Sequence, residues 1–581
     1  MVSKVIPLSA AIRTHVRPGM HLNFASTPSR SNAAARELAR CFRGTSPNFT
    51  LSSTGFHSMA HLLAMLRLGK RYIACFFGDN YPVPRPNALY SQLLREGAQL
   101  EHWSLWSYVT ALRAGALGQP YGLTSSLVGT TVGAELMAAG KFHQVPDPAD
   151  PDRQIGLVSA LRSDITFVHA ALGDTHGNII AAAPYSEGYW GALGARLGVI
   201  ATVERVIEPG ALAALQEAIK IPAQRVLAVC EEPFGAHPQP LYASRALGIA
   251  GYADDFEHYQ LWRTLSQDAD QFERFAALVL RAEDGAVGYR NFVGVERLEA
   301  LRIRPTTNDQ RPTTNISHHK DLYGEPRVAA LEPRSADLTI VRAARVIVER
   351  VRARGYQALL AGIGQAFFAA RLARLRLAEL GIEVAVMVET GMYDLECGPE
   401  ANGFLLSYDT IARARRLSSV EDVLGTLTCG ADNRCLGVIG AAQIDPRGDV
   451  NSTRLANGRL LVGSGGANDI ASAAAEVIVL TACERSRLVP QVDYITSPGR
   501  AVLSVVTDLC TFRRAAATET RWTIEDLDAM PGMRSTDAAL DLIRSRCAWD
   551  ELAWAGGTLA PRISRDELDL LHSLDPQGLH W

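Results

Sequence analysis

The feature of this sequence that most constrains its fold is one structural plan that occurs twice along the chain. In the first half, residues 19–25 have the composition of a strand and lead into a turn rich in Ser, Thr and Pro. Residues 32–42 then have helical spacing, and residues 49–55 again favour a strand. A strand, a turn, a helix and a second strand in this order are typical of a parallel βαβ unit.

The second half repeats this order. Residues 355–361 predict a strand, Gly362-Ile363-Gly364 a turn, and the residues after it a helix through Phe368, Leu372 and Leu375. The next predicted strand ends at Glu389, which is 34 positions after Gly355, just as Ser53 is 34 positions after Gly19. We therefore expect an α/β fold with two related, open, mostly parallel α/β sheet domains in tandem.

A polar segment separates the two copies. Between about residues 302 and 334 the apolar period is lost, and Pro, Thr and Asn are frequent. Helical spacing resumes with Ile340, Ala344, Ile347 and Val351, and Gly355 is a plausible stop. The predicted organisation is a first domain at 1–300, a linker at 301–335 and a second domain at 336–581.

Bulk composition excludes several classes of partner. The net charge is -3 and the pI is about 6.6, so there is no basic excess to bind nucleic acid or an anionic membrane. Nine scattered cysteines, without a Cys-x-x-Cys pair, argue against a disulfide framework and a thiolate metal site. With no apolar run of membrane-spanning length and no signal-peptide pattern at the N-terminus, we expect a cytoplasmic protein.

Glu389 is the first candidate for a reacting group. It ends the apolar strand of residues 382–388 and is followed by a turn with Gly391. A carboxylate where a buried strand opens into a loop is costly unless its charge is used or paired. The bland alternative is a structural carboxylate that caps a helix or pairs an arginine. In open α/β sheets, ligands bind beyond the carboxyl ends of the strands, where Glu389 is predicted to lie.

Two glycine-rich turns predict close approach of the backbone to a ligand. The first is Gly463-Ser464-Gly465-Gly466-Ala467-Asn468, which follows an apolar segment and precedes a predicted helix at residues 470–479. It lacks the Gly-Lys-Ser/Thr ending of a phosphate-binding P-loop, yet three glycines exceed what a simple turn requires. The second turn, Gly362-Ile363-Gly364, is a weaker signal, because Gly-x-Gly after a strand is common.

Other polar motifs favour structural roles. Asp174 and His176 could form a catalytic pair, but the similar segment around Asp445 in the second half indicates a structural turn in both copies. The segment from Glu231 to Pro238 is interpreted as a fold signature. His318-His319 lies in the linker and is interpreted as a solvated pair, and no cluster has the spacing of metal ligands.

Together these segments carry a resemblance to a known family. Val388-Glu389-Thr390-Gly391, the glycine segment at 463–468, residues 440–453 and residues 492–499 resemble the β subunit of glutaconate CoA-transferase, a class I CoA-transferase. Residues 1–300 resemble its α subunit, so both subunits would be fused in one chain. The resemblance implies that Glu389 is the nucleophile and that the 463–468 segment lines the thioester of coenzyme A, which enters as acyl-CoA. It also implies that Gly362 and Gly364 face the site. The 34-position correspondence of the two halves predicts a homodimer or a higher homo-oligomer, because two like sheets can pack about a pseudo-two-fold axis.

The predicted substrate residues lie in the first half. They are Ser26, Phe77, Asp79, Asn80 and Arg85. The loop at residues 75–86 is bulky and proline-rich, and Trp103, Trp106 and Tyr108 could extend an apolar wall, which predicts an acid larger or less polar than glutaconate. Arg85 could instead pair a second carboxylate. The alternative function is an acyl-CoA hydrolase or a decarboxylase on the same fold.

Overall fold

The computed structural model describes residues 2–25, 28–243, 245–303, 333–527, 535–556 and 563–581. Within these ranges the chain forms two mostly parallel α/β sheets, one in each half, which confirms the predicted fold class. Most of the predicted linker at 301–335, with His318-His319, lies outside the described residues. The domain bounds 1–300 and 336–581 therefore stay predictions.

The first half is built around a mostly parallel sheet. The described strands of the whole first half are β1 (His21–Phe24), β2 (Phe49–Ser52), β3 (Gly55–Phe56), β4 (Gly69–Ala74), β5 (Phe76–Phe77), β6 (Gln99–His102), β7 (Tyr121–Thr124), β8 (Phe142–Asp147), β9 (Asp150–Ser159), β10 (Ile165–Asp174), β11 (Ile179–Ala181), β12 (Gly198–Ile207), β13 (Ile219–Ile221), β14 (Val226–Glu231), β15 (Gly251–Tyr252) and β16 (Arg302–Ile303). Strands β6, β4, β2, β1, β10, β12 and β14 pair in that spatial order, all parallel. Strand β11 pairs antiparallel with the second part of β10, and β13 pairs antiparallel with β11.

Helices cover this sheet as the repeated plan predicts. They are α1 (Leu8–His15), α2 (Asn32–Phe42), α3 (His61–Met65), α4 (Ala88–Arg95), α5 (Leu105–Ala116), α6 (Thr131–Ala138), α7 (Trp190–Gly194), α8 (Phe256–Leu265), α9 (Ala269–Phe275), α10 (Gly285–Val293) and α11 (Val295–Ala300). Helix α2 has the predicted bounds, and its Ala34 and Leu38 are fully buried against the sheet. Burial of an apolar stripe holds such a helix in place.

The second half has its own sheet. The described strands of the whole second half are β17 (Ala358–Ala361), β18 (Ala385–Met387), β19 (Met392–Leu395), β20 (Ala414–Leu417), β21 (Cys435–Gly440), β22 (Gln443–Ile444), β23 (Val450–Asn451), β24 (Glu476–Leu480), β25 (Val502–Val506), β26 (Thr511–Arg513), β27 (Trp522–Glu525) and β28 (Leu552–Trp554). The spatial order is β18-β17-β21-β24-β25-β26-β27-β28. The first five strands are parallel, and β26 runs antiparallel to both of its neighbours.

The helices of the second half are α12 (Ser335–Arg354), α13 (Gln365–Glu379), α14 (Tyr408–Ala412), α15 (Ala467–Ala473), α16 (Thr536–Arg546) and α17 (Arg565–Leu574). Gly355 ends α12 in the left-handed region, with φ +67, as the sequence predicts. The predicted helix at 470–479 is wrong in its second part. Helix α15 ends at Ala473, and the run of Val477, Ile478 and Val479 lies in strand β24, where β-branched side chains are buried on both faces.

The two halves share one apolar core. A cluster of buried residues joins Trp103, Val109 and Leu112 of the first half to Leu360 and Met387 of the second. Backbone hydrogen bonds also cross between the halves, from Tyr185 N to Ser418 O at 2.7 Å, from Val420 N to Ser186 O at 2.7 Å and from Thr131 N to Ile495 O at 3.0 Å. Such a continuous core fixes the position of one sheet relative to the other.

Two further features concern the helices and the cysteines. In the ranges that the structure describes, no helix is both long enough and apolar enough to cross a membrane. All nine cysteines are described, and each is a free thiol.

Candidate active site

Glu389 lies at the carboxyl edge of the second sheet. Strand β18 pairs in parallel with β17, with Leu360 opposite Met387, so the turns that follow both strands leave the sheet at the same edge. Val388 donates to Met392 O at 2.9 Å, which closes a tight turn at residues 389–391. Gly391 has φ +113, and a Cβ there would clash with Ser418 O, so the turn requires glycine.

One oxygen of the Glu389 carboxylate has no hydrogen-bond partner among the described residues. The residue is half-buried, and its Oε2 is buried with no hydrogen-bond partner among the described residues. Burial, followed by the negative charge of Asp469, raises the pKa of Glu389 to about 7. Structural carboxylates are normally satisfied by donors or a cation. An unsatisfied carboxylate with this pKa is typical of a reacting group and argues against the structural alternative.

The glycine-rich turn at residues 463–468 packs directly on Glu389. A Cβ at Gly466 would lie 3.2 Å from Cγ and 3.7 Å from Cδ of Glu389. Gly463 has φ +102, and a Cβ there would lie 2.6 Å from Cys75 O. Gly465 donates to Cys75 O at 2.9 Å and accepts from Leu105 N at 3.0 Å. The turn is therefore clamped between the nucleophile candidate and the first half.

The residues after the glycines hold the two halves together. Asn468 is fully buried, donates to Thr496 O at 2.7 Å and accepts from Leu127 N at 3.0 Å. The side chain of Ser464 accepts from Asn468 N at 3.2 Å, and Ala467 begins helix α15. Through these contacts, the side chains of Ser464 and Asn468 hold the turn in position. The prediction that residues 463–468 line a thioester therefore concerns the backbone of the turn.

Asp469 is a site residue that the sequence did not assign. Its Oδ2 accepts from Trp106 N at 3.0 Å, at the first turn of helix α5, while its Oδ1 is buried with no hydrogen-bond partner among the described residues. Burial raises the pKa of Asp469 to about 6. The residue stands directly after the Gly-Ser-Gly-Gly-Ala-Asn run, but 80 positions separate it from Glu389, and no periodicity predicts such a contact.

The Gly362-Ile363-Gly364 turn lies beside the first half, as expected for the site. Gly362 donates to Val438 O at 3.0 Å, and Gly364 has φ +88 and precedes helix α13. A Cβ on Gly364 would lie 3.8 Å from Val83 and 3.7 Å from His580 O. The turn thus faces both the proline-rich loop and the C-terminal residues, and its role toward coenzyme A stays a prediction.

The predicted substrate residues separate into different environments. Phe77 is buried and stacks on Phe56 with ring centroids 5.6 Å apart. Oδ1 of Asp79 accepts from Asn87 at 3.2 Å and lies 3.0 Å from Nε2 of His61. Asn80 is buried, Arg85 is exposed, and Ser26 lies outside the described residues. Phe77 and Oδ1 of Asp79 contact residues of the first half, whereas Oδ2 of Asp79 is buried without a hydrogen-bond partner among the described residues. The role of these residues toward the substrate stays a prediction.

The aromatic residues proposed as an apolar wall are also internal. Trp103 is buried and donates to Glu101 at 2.8 Å, and Trp106 packs on Gly425, where a Cβ would lie 2.6 Å from its ring. Tyr108 donates to Asn23 at 2.7 Å. They stabilise the contact between the halves, and the expectation of a larger, less polar acid stays a prediction.

A second residue that the sequence did not assign is Arg30. It follows β1 in the turn before α2, is only 1% exposed, and none of its three guanidinium nitrogens has a hydrogen-bond partner among the described residues. In the sequence this segment has the pattern of a simple turn. The signal in the sequence that could have indicated Arg30 is an arginine in a Ser- and Pro-rich turn at the carboxyl end of a strand, where α/β sheets bind ligands.

Two other buried carboxyls are distinguished from Glu389 by their contacts. Burial also raises the pKa of Glu232 and of Asp254 to about 7. Asp254 accepts from Tyr408 N at 2.7 Å and from Tyr259 at 2.9 Å, and Glu232 lies near the positive charge of Arg36. Unlike Glu389, neither has a buried oxygen without a hydrogen-bond partner in the described ranges.

The structural turns are confirmed by their hydrogen bonds. Asp174 accepts from Gly177 N at 2.7 Å and from Asn178 N at 2.8 Å, and Asp445 accepts from Arg447 N at 3.0 Å and from Asp449 N at 3.2 Å. Each carboxylate therefore closes its own loop.

One cluster has metal-compatible distances in the described ranges, at His237, Asp255 and His258. Arg297 donates to both oxygens of Asp255, at 2.7 and 2.6 Å, and His237 lies 2.8 Å from the hydroxyl of Tyr289. The guanidinium already neutralises the carboxylate. This arrangement suits a structural network and leaves Asp255 without a free oxygen for a cation.

The fold and the site define an α/β protein with an unpartnered strand-end carboxylate between two sheets. Residues 6–230 match the model of the coenzyme A transferase family. One subunit of 3-oxoadipate CoA-transferase from Pseudomonas knackmussii is 29% identical over 166 residues, which are 27% of this chain and 51% of that protein. One subunit of glutaconate CoA-transferase from Acidaminococcus fermentans is 44% identical over 71 residues, which are 12% of this chain and 26% of that protein.

A solved structure extends the likeness of fold to nearly the whole chain. The acyl-CoA transferase of Escherichia coli O157:H7, in its apo form, has a TM-score of 0.63 and 14% sequence identity, over 96% of this chain and 95% of that chain. The chain is thus similar to coenzyme A transferases over residues 6–230 and over shorter segments of two such enzymes. The matched segments span about half or less of the two curated relatives.

Proposed function

We propose that the protein is a CoA-transferase that moves CoA between an acyl-CoA thioester and a carboxylic acid, with Glu389 as the covalent carrier. The observation that carries this proposal is the buried, unpartnered Oε2 of Glu389 beneath the glycine turn. The match of residues 6–230 to the coenzyme A transferase family supports the class of reaction.

The reaction proceeds in balanced steps. The ionised Glu389 carboxylate attacks the thioester carbonyl, the carbon–sulfur bond breaks, and an acyl-glutamyl anhydride and CoA thiolate form. The thiolate attacks the glutamyl carbonyl, which releases the free acid and leaves a glutamyl-CoA thioester. An acceptor carboxylate then runs both steps in reverse and leaves as the new acyl-CoA, so that Glu389 is regenerated.

The surroundings of Glu389 supply the chemistry that a weak nucleophile needs. A Cβ on Gly466 would lie 3.2 Å from Cγ of Glu389, so the backbone of the glycine turn lies close to this side chain. In the proposed reaction, dipoles of this backbone stabilise the oxyanion that develops at each attack. Burial removes water from the carboxylate, and Asp469 raises its basicity. Binding energy from the CoA chain is converted into activation at the carbonyl.

The site is made by both halves of the chain. Gly465 bonds to Cys75 and Leu105 of the first half, and Asp469 bonds to Trp106. We therefore propose one complete site per chain, at the contact between the halves. Assembly of two or more chains as a homo-oligomer is part of the same proposal, because self-association is common for α/β enzymes with a symmetric plan.

The test is a CoA-transfer assay on a panel of acyl-CoA donors with isotopically labelled acetate, read by mass spectrometry. Wild-type protein should give labelled acetyl-CoA. Glu389→Gln should lose at least about 10³-fold in kcat, because the reacting oxygen is gone, while CoA binding is kept. Release of free CoA without labelled acetyl-CoA would instead indicate the hydrolase alternative.

Glu383 offers a matched control. It is exposed and lies six positions before Glu389 in the chain. Glu383→Gln makes the same chemical change outside the site, so its kcat should stay within about twofold of wild type. Equal losses in the two variants would contradict the assignment of Glu389.

A further inference from the structure

The second half contains a cavity whose lining includes neither Glu389 nor the glycine turn. It has a volume of about 260 Å³ and lies between the third turn of helix α13, at Arg374 and Leu375, and the far end of the β19–β20 hairpin. Cavities that hold drug-sized ligands measure about 300 Å³ or more, so this one suits a smaller molecule.

The β19–β20 hairpin has the Glu389 turn at one end and the cavity at the other. Met392 pairs with Leu417 beside the turn, and Leu395 pairs with Ala414 beside the cavity. Strand β19 has four residues, which span about 13 Å at the usual rise of a strand. The cavity is therefore a separate place on the molecule that is joined to the nucleophile turn by regular structure.

Arg374 is a cation of this cavity that lacks a partner. Its Nε is buried with no hydrogen-bond partner, and no carboxylate of the described residues pairs with its guanidinium. The other two arginines of the lining are neutralised. Arg415 lies 3.2 Å from Asp394, and Nε of Arg413 donates to both oxygens of Asp409, at 3.0 and 2.9 Å. The cavity thus offers one guanidinium to the carboxylate of a ligand.

Glu400 supplies the opposite charge in the lining. Oε1 of Glu400 lies 3.8 Å from Arg413, which is beyond hydrogen-bond distance, because that guanidinium is held by Asp409. An ammonium group inside the cavity would therefore pair with Glu400 more closely than Arg413 does. A cavity with one unpaired guanidinium and one weakly paired carboxylate is complementary to a molecule that carries both charges. A polyanion would be repelled by Asp394, Glu396 and Glu400, which all line the cavity.

The rest of the lining is apolar and held in place. Leu375 and Leu395 contribute their side chains, and burial raises the pKa of the Cys397 thiol to about 11, so that this group is neutral. The fully buried Arg371 donates to Gly398 O at 2.7 Å and fixes the backbone of the wall. An apolar side chain of a ligand would meet a wall that is already formed, which lowers the cost of binding.

We propose that this cavity binds a small zwitterion, an α-amino acid with an apolar side chain. The carboxylate of the ligand pairs with Arg374, its ammonium group pairs with Glu400, and its side chain contacts Leu375 and Leu395. No bond is made or broken in the cavity, and the site does not depend on the reaction proposed for Glu389. A bound ligand holds the end of the hairpin that lies opposite the nucleophile turn.

The experiment is a calorimetric titration of the full chain with three probes derived from one carbon skeleton. L-norleucine carries both charges, hexanoate lacks the ammonium group, and pentylamine lacks the carboxylate. Norleucine should bind at one site per chain, and each singly charged probe should bind at least about tenfold more weakly. The absence of saturable norleucine binding, or hexanoate binding that is equally tight and depends on Arg374, would overturn the proposal.

Variants of the two charged residues assign the contacts. Arg374→Gln should weaken norleucine binding at least about tenfold. The matched control is Arg376→Gln on the same helix, outside the lining and paired with Glu379, and it should stay within about twofold of wild type. Glu400→Gln should weaken norleucine about tenfold and leave hexanoate unchanged. Because Glu400 is exposed, this variant tests the proposal even if Arg374→Gln does not fold. Equal norleucine affinities in all four proteins would place the ligand elsewhere and overturn the proposal.

Two further measurements locate the bound ligand. Saturating 3′-phospho-ADP should leave the norleucine affinity unchanged, and displacement of norleucine would assign the cavity to coenzyme A and overturn the proposal. In hydrogen exchange, norleucine should slow the amides of residues 392–395 and 414–417 in wild type and not in Arg374→Gln. Slowed exchange at residues 463–468 alone would place the ligand at the glycine turn and would likewise overturn the proposal.

Discussion

Replacement of Glu389 by glutamine should stabilise the protein, and the gain should depend on pH. The pKa of Glu389 is raised to about 7 in the folded protein, from 4.5 for an unperturbed glutamate. A folded pKa above the unfolded value means that the native state holds the proton longer. Stability is therefore lost as pH rises from 4.5 through 7.

The size of the effect follows from the shift. A difference of about 2.5 pKa units at about 1.4 kcal/mol per unit corresponds to roughly 3 kcal/mol of destabilisation by the ionised carboxylate above pH 8. Glutamine has nearly the same shape and does not ionise. Glu389→Gln should thus exceed wild type in unfolding free energy by about 3 kcal/mol at pH 8, and by less than about 1 kcal/mol at pH 5.

Scanning calorimetry at matched scan rates measures this difference. For an unfolding unit of about 250 residues, 1 kcal/mol corresponds to roughly 2 °C in Tm, so the variant should melt about 6 °C higher at pH 8 and less than about 2 °C higher at pH 5. The exposed Glu383→Gln should show no pH-dependent difference. A Tm difference for Glu389→Gln that is constant between pH 5 and pH 8, or that shrinks as pH rises, would refute the reasoning.

Three further outcomes are expected. Asp469→Asn keeps an oxygen that can accept from Trp106 N and removes the negative charge beside Glu389. In steady-state profiles, the rise of kcat/KM with pH, centred near 7 in wild type, should therefore move to lower pH. An unchanged profile would show that Asp469 does not act on Glu389. Gly466→Ala places a methyl group 3.2 Å from Cγ of Glu389 and should lower kcat by roughly tenfold or more. The control Gly440→Ala, whose methyl group meets no atom within 4 Å, should leave kcat unchanged. Equal kcat values for the two variants would show that the glycine turn can move to accommodate the methyl group. A protease site introduced between residues 304 and 332 allows the chain to be cleaved between its halves. After cleavage the halves should elute together in size exclusion and keep their activity, because they share a core. Separation into two stable, inactive pieces would contradict a single site formed by both halves.

Local pattern predicted the elements that carry the site. Helix α2 has its predicted bounds, and its residues 32–39 are all buried. Gly355 ends α12 in the left-handed region, which favours glycine. Glu389 was recognisable as a carboxylate at the end of an apolar strand. Residues 470–479 were misread, because alanine-rich α15 runs into β24 without a proline or glycine between them.

Contacts between distant segments could not be predicted in the same way. Asp469 acts on the carboxylate of Glu389 only because α15 packs at the carboxyl edge of the sheet, and the spacing of these residues in the sequence says nothing about that. Arg30 was hidden for a related reason. Its lack of a hydrogen-bond partner among the described residues is a property of the packed interface, whereas in the sequence it is one polar residue in a turn.

The most direct test of the central claim is chemical trapping of the intermediate on Glu389. Wild-type protein is incubated with an acyl-CoA that supports transfer, treated with borohydride, digested and read by peptide mass spectrometry. The glutamyl-CoA thioester is an activated carbonyl, so reduction should convert the Glu389 side chain into the corresponding alcohol, and Glu389→Gln should show no change in that peptide. Modification of Glu231 or Glu232 in place of Glu389, or turnover without any modified carboxylate, would contradict the account.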